Sequence, residues 1–351
     1  KVWGAAPDDV WAVGNRGIIL HYNGSAWSNV SHGLGVTNIN SIDVMSPADI
    51  WTAGETGKIY HYTGGAWTED EDTGAHTWNA ISMVSPTLGF AVGNAGWVAR
   101  YNGSTWSVSR PLAGYTGNLF DIHMISASEG WISGAGGKIL RWNGTAWSQN
   151  RDTGAQDWDG IFAFSAPTDV WVVGSNGHIY RGDGTSWNPV ASPVSLLLRA
   201  VHFFGTAFGW AMGNNGQIIH WDGASWQSSV SPTRQHLNDV FLADENNGWA
   251  VGNNGVVLKL EGGNSFEPNG YLISSAFDMA DPSPVEVIEW DENLPCALCR
   301  VKFQVQVSPD ATVWFPSQWM GPEGNDGDET DFFETASGEI IPLVANGYRW
   351  V

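Results

Sequence analysis

Cations are the scarcest groups in this 351-residue chain: 15 Lys and Arg stand against 36 Asp and Glu, a formal net charge of −21. Proteins that bind nucleic acid neutralise phosphates with clustered Lys and Arg, so this balance excludes that class of partner. It disfavours an anionic membrane surface for the same reason. No run approaches the 18 or so apolar residues of a membrane-spanning helix. No stretch carries a helical apolar period with caps, which excludes a helical architecture. Chemistry is also thinly represented. There is no Ser/His/Asp order, phosphate-binding loop, H-E-x-x-H or isolated carboxylate pair to anchor a catalytic site. The only cysteines are Cys296 and Cys299.

What the chain does have is glycine and tryptophan, 44 and 22 of them, well outside average usage. An acidic, cation-poor chain of this kind suits an extracellular surface protein. Most of the glycine and tryptophan belongs to a repeat. "VWAVGNRGIILHYNGSAW" at Val10 returns as "IWTAGETGKIYHYTGGAW" at Ile50 and five more times before residue 270. Aligned on the first glycine of x-G-x-x-G, the units stand at Gly14, Gly54, Gly93, Gly134, Gly174, Gly213 and Gly252. An aromatic precedes each by three residues: Trp11, Trp51, Phe90, Trp131, Trp171, Trp210 and Trp249. A second follows sixteen residues after it, from Trp27 to Trp226, and Phe266 closes the series one residue later than that spacing.

Within a unit, short β-branched and aromatic runs alternate with Gly, Asn, Asp and Pro, which predicts four strands joined by tight turns. In unit two these are "INSIDVMS", "DIWTAGE", "KIYHYT" and "AWTED". Pairs such as Asn23-Gly24 and Asp222-Gly223 predict a two-residue hairpin before the last strand, since both residue types tolerate positive φ. Seven such units predict an all-β fold: a seven-bladed β-propeller over residues 1–268. The chain opens inside a repeat at "KVWGAAPDDVW", so unit one reads as N-terminally incomplete. A signal or anchor would lie upstream, and a whole unit there would make eight blades.

A blade cannot bury both faces alone, so the burying aromatics must recur. Each Trp contributes roughly 4 to 6 kcal/mol gross when 150–250 Å² leaves water, before entropy is set against it. The repeated Trp set therefore reads as mortar between blades rather than a sugar-stacking array. The third strand carries His21, His61, Arg100, Arg141, Arg181, His220 and Lys259 at one position. Recurrence in every unit predicts a structural donor, stacked on the neighbouring blade's Trp or bonded to a turn carbonyl, rather than an anion site.

The unit W-A-V-G-n-n-G-x-I-x-H-x-x-G-x-x-W resembles bacterial propeller repeats related to photosystem II stability and assembly factors, and the wider Asp-box (BNR) group of sialidases and sortilin-like receptors. The resemblance covers residues 1 to about 268 and implies the propeller architecture. "HYNGSAW" is one residue shorter than the Asp-box between the Asx and the Trp. The sialidase arginine triad has no counterpart, because most arginines here occupy repeat positions.

From about Gly270 the repeat stops, and residues 271–351 hold 14 Asp and Glu against Arg300, Lys302 and Arg349. "YLISSAF", "PVEVIEW", "RVKFQVQVS", "TVWF" and "EIIPLVA" read as strands of a small, jelly-roll-like β-sandwich domain over 270–351. This run looks like a sandwich module of bacterial surface and pilin-like proteins. Cys296-x-x-Cys299 lacks further zinc ligands nearby and precedes a strand, so a short-loop disulfide in an oxidising compartment is the expected state. The loop "GPEGNDGDETDFF" groups Asn325, Asp326, Asp328, Glu329 and Asp331, oxygen ligands of the type that hold Ca²⁺, although EF-hand spacing is absent. Calcium is the one cofactor these residues suggest.

Asn23, Asn29, Asn102 and Asn143 begin N-x-S/T sequons, three of which coincide with the hairpin Asn-Gly and are better explained by turn geometry. Departures from the repeat at Trp78, Trp97, Trp158 and His178 are the candidate ligand-binding positions. The expected function is a non-catalytic extracellular binding or adhesion module at a cell surface, with a protein or glycan as partner. One alternative is a structural subunit of an extracellular filament or pilus-like appendage, its partners being copies of itself. A second is a glycan-active, sialidase-like enzyme.

Overall fold

The computed structural model describes residues 1–165, 169–262 and 265–268. Over these residues the chain forms seven four-stranded antiparallel sheets, each built from four consecutive strands in sequence order. In the second sheet they run Ile39–Ser46, Asp49–Gly54, Lys58–Tyr62 and Trp67–Asp72, the four segments expected from sequence. In the first sheet Val2–Ala6 is the inner strand, five residues against eight in Ile39–Ser46, and pairs with Asp9–Val13. The sandwich expected over 270–351, Cys296 and Cys299, and the loop carrying Asn325, Asp326, Asp328 and Asp331 lie outside the described residues.

The repeated aromatics explain how the sheets pack. Each second-strand aromatic reaches into the next blade and meets an aromatic pair, or a single ring, on its outer two strands. Trp51 lies 4.9 Å from Tyr101 and 5.8 Å from Trp106; Trp171 lies 4.9 Å from Trp221 and 5.8 Å from Trp226. The same contact closes the ring, with Trp249 of blade seven 4.5 Å from Tyr22 and 5.1 Å from Trp27 of blade one. Trp131 and Trp210 are fully buried, and Trp51, Phe90, Trp171 and Trp249 are 1% exposed. Tilted and edge-on arrangements of this kind add about 0.5–1.5 kcal/mol per pair beyond area burial. The seventh blade packs directly on the first, and the described residues make a closed seven-bladed β-propeller.

The x-G-x-x-G segment turns the chain between the second and third strands. Here the residue before the second glycine is left-handed: Arg16, Thr56, Ala95, Asn176, Asn215 and Asn254 have φ of 55–58°. The second glycine is fixed by crowding as well as by φ. A Cβ on Gly216 (φ +71°) would lie 1.9 Å from the Thr233 carbonyl oxygen. The later Asn-Gly loop differs from expectation. Tyr22 pairs with Trp27, so the loop has four residues, and only Gly24 takes positive φ. Asn23 instead accepts the N–H groups of Ser25 and Ala26 on Oδ1, both at 3.0 Å, the side-chain-to-backbone turn that Asx residues favour.

The cationic column is structural, but it packs mainly on its own blade's aromatic. His61 stacks on Trp51 at 3.7 Å and 15°, and its Nε2 lies 2.7 Å from Asp49 Oδ1, which also accepts the Trp51 indole N–H at 2.9 Å. Arg141 and Arg181 sit over Trp131 and Trp171 and bind Glu129 and Asp169 through two hydrogen bonds each. Cross-strand pairing sets the choice, since Trp51 faces His61 in the ladder. Arg100 also reaches the neighbouring blade, 5.3 Å from Trp142.

Candidate functional site in the central channel

Seven inner strands leave one edge each toward the axis, where backbone N–H groups have no further strand to bond. Side chains of the preceding blade supply acceptors. Ser41 Oγ takes the Ile81 N–H at 3.1 Å, Asp43 Oδ2 that of Met83 at 2.5 Å, Asp121 Oδ2 that of Ile161 at 3.1 Å and Asp239 Oδ2 that of Val2 at 2.8 Å. The channel carboxylates therefore begin as a solution to exposed strand edges.

Two rings of side chains result. In the first, Lys1 extends its ammonium to Asp121 of blade four and Asp239 of blade seven, at 3.3 Å from each. One ion-pair bar thus ties three blades together. Burial opposes the charge on Lys1, but the two carboxylates outweigh it and hold its pKa above the usual range. Burial raises the Asp121 carboxyl, with Lys1 pulling the other way.

The second ring consists of Trp3, Asp43, Ser82, His123, Phe162, His202 and Phe241, each paired in the ladder with the repeated aromatic of its own blade. The repeat fails at this position while the residue just before it is Ile or Val in all seven units. Aromatic rings fill one arc: His123 to Phe162 at 4.6 Å, Phe162 to His202 at 4.9 Å, and Trp3 to His202 and Phe241 at 5.2 and 5.3 Å. Asp43 and Ser82 face them from the other arc. Between the rings lies a cavity of about 130 Å³, lined by Lys1, Trp3, Asp43, Ser82, His123 and His202 among others.

Burial governs protonation inside. It pushes Asp43 up to about 7, against the pull of the Met83 and Val44 N–H groups. Burial also lowers His123 to about 4 and, together with His123 and Lys1, lowers His202 to about 3. Both imidazoles are neutral at pH 7. His202 is 7% exposed, and its Nδ1 has no hydrogen-bond partner. Asp43 has no ion-pair partner among the described residues. Among those residues no group of three or more His, Cys, Asp or Glu is placed to hold a metal, and no helix is long and apolar enough to cross a membrane. The arrangement can accept hydrogen bonds, exchange one proton near neutrality and hold positive charge.

The ligand positions expected from sequence are not brought together. Trp78 and Trp158 are fully buried, each donating its indole N–H to a loop threonine, Thr73 at 3.1 Å and Thr153 at 2.9 Å. Neither presents a ring face to a ligand. They occupy an inner-strand position filled by Ile39, Leu119, Leu198 and Leu237 in other blades, so they belong to the core. Trp97 is half-buried under Arg110, 4.3 Å away, with His76 at 4.6 Å. His178 faces solvent just before the strand Ile179–Gly182. Sequence reasoning passed over the second ring, whose signal is an inward column that does not repeat.

The closed ring, its aromatic mortar and its polar channel define a seven-bladed β-propeller. Solved propellers superpose on it. The structure titled "YCF48 bound to D1 peptide" has 17% identity and a TM-score of 0.61, covering 74% of this chain and 90% of that one. YCF48 from Cyanidioschyzon merolae matches at 17% identity and a TM-score of 0.61, over 75% of this chain and 95% of that one. The WD40 β-propeller domain of Doa1 matches at 12% and 0.59, over 74% and 90%. At such identities the likeness is one of fold. No family model matches the chain, and no curated protein does either.

Proposed function

We propose that this chain is a non-catalytic, protein-binding propeller that receives a segment of its partner at the channel. The observation that carries this reading is the second ring. A scaffold repeated seven times varies at an inward position where seven side chains converge, and leaves there a buried, unpartnered imidazole and an unpaired carboxyl. Structural roles recur with the repeat, whereas a site breaks it. The fold neighbour that holds a D1 peptide supports a peptide as partner class. The acid-rich, cation-poor composition supports an extracellular setting, in which the ring would act as a binding or adhesion module.

The test is selection of peptides from a displayed library against the immobilised chain. Ser82→Phe fills the cavity with the residue that Phe162 and Phe241 place in the same ring. Thr68→Arg and Ser228→Arg alter exposed outer strands. Selected peptides should bind the wild type and both outer-strand variants and lose binding to Ser82→Phe. Peptides that bind Ser82→Phe undiminished would sink the proposal.

A further inference from the structure

We propose that the channel cavity is a receptor for a primary ammonium group carried on a short apolar stem, with Asp43 as its counter-ion and His202 Nδ1 as an acceptor. This deepens the partner-binding reading by naming the group presented, and the test below can fail without the peptide selection failing. The channel already holds one such group. Lys1, an ammonium on an aliphatic stem, is gripped between Asp121 and Asp239. One layer away, Asp43 accepts a backbone N–H from Met83 but faces no cation. It is 9% exposed, and a buried carboxyl with no counter-charge is costly to ionise, so a guest cation would recover that cost.

His202 supplies the second, independent observation. Its Nδ1 is buried without a partner on a residue that lines the cavity, and a buried nitrogen left unbonded forfeits free energy that a guest N–H donor returns. The aromatic side chains of Trp3 and Phe162, also in the lining, suit both the cation and its stem. Other guests fit less well. An anion would meet Asp43, Asp121 and Asp239 with only Lys1 to offset them, and Lys1 is already committed to two carboxylates. A metal lacks the converging ligands. Size sets the stem: about 130 Å³ compares with the roughly 150 Å³ that holds benzene, so a guest of about five or six heavy atoms fits. A lysine side chain from a protein and a free alkylamine share this chemistry.

The test titrates the full chain with n-butylammonium, n-butanol and acetyl-lysine amide by calorimetry, on wild type, Asp43→Asn, His202→Phe and Ser82→Phe, each checked for a cooperative thermal transition. Butylammonium should saturate wild type at least about tenfold more tightly than n-butanol, the difference expected of a charge-assisted hydrogen bond. Asp43→Asn should weaken it about tenfold or more, His202→Phe about three- to tenfold, and Ser82→Phe should abolish it. Acetyl-lysine amide binding more tightly than butylammonium assigns the guest to a protein side chain. The reverse order assigns it to a free amine, and either order sustains the receptor. Equal affinity for butylammonium and butanol, wild-type binding unchanged in folded Asp43→Asn or His202→Phe, or no saturable binding of the amine by wild type up to about 50 mM overturns the proposal.

Discussion

Asp43 and His202 pull stability in opposite directions as pH falls, and two substitutions separate them. His202 titrates at about 3 in the folded chain and near 6.5 when unfolded. Below pH 6.5 the unfolded state takes a proton that the folded state refuses, so acidification removes stability, by about 2 kcal/mol between pH 7 and 5. His123, at about 4, removes a similar amount over the same window. Asp43 has the opposite sign. Folded, it protonates near 7; unfolded, near 3.9. The folded state therefore binds the extra proton across that interval, and stability grows by roughly 2 kcal/mol from pH 7 to 5. These three groups together should take about 1–2 kcal/mol from wild type over the window, about 4 from Asp43→Asn and close to none from His202→Phe. Groups elsewhere titrate alike in all three proteins, so the differences between their curves isolate the channel. Urea denaturation at pH 7 and pH 5 reads the effect directly. Thermal melts should show Asp43→Asn losing roughly 5–10 °C more than wild type. Parallel pH profiles for the three proteins would refute the buried, uncompensated state assigned to this ring.

Thr52 is fully buried with a hydroxyl that finds no partner, at the position Val172 fills in blade five. Thr52→Val should raise stability by about 1 kcal/mol in urea denaturation; a loss would mean the hydroxyl is bonded. Thr56 is β-branched and left-handed at φ 56°, where Asn176 and Asn254 stand in other blades, so Thr56→Asn should raise the melting temperature by the equivalent of roughly 1 kcal/mol. Gly216→Ala and Gly114→Ala share a φ near +70°, at +71° and +74°, but only the first puts its Cβ against a carbonyl. Gly114→Ala should cost about 1–2 kcal/mol by denaturation and Gly216→Ala clearly more, and equal costs would show that φ alone fixes the glycine. Trp171→Ala should cost about 3–5 kcal/mol, because the indole closes the contact with Trp221 and Trp226 of the next blade.

The blades were legible because their cause is periodic. Trp51 and Trp67 bury against neighbours in a way every unit must repeat, so strand boundaries in blade two fell where alternation and turn residues placed them. The turns were harder. Asn23-Gly24 matches a two-residue hairpin signal, but Asn23 is used for its side-chain oxygen and only Gly24 is left-handed there, while in the turn between the second and third strands the left-handed position falls on residues as unlike as Arg16 and Ala95. Identity at those positions carries little information, because the following glycine and a neighbouring carbonyl dictate the backbone. Trp78 and Trp158 read as departures from the repeat, although the same position holds Ile39 and Leu119, the mark of a core site. The channel ring was hidden for the opposite reason. Its members lie about forty residues apart and mix aromatic rings with Asp43 and Ser82, and only the ladder that sets Asp43 beside Trp51 and His202 beside Trp210 shows that they meet.

A crystal structure of the chain with the tightest selected peptide bound puts the central claim to its plainest trial. The peptide should enter the channel and place a side chain in the cavity between Asp43 and His202. A peptide lying along the outer strands, with that cavity unchanged, would contradict it.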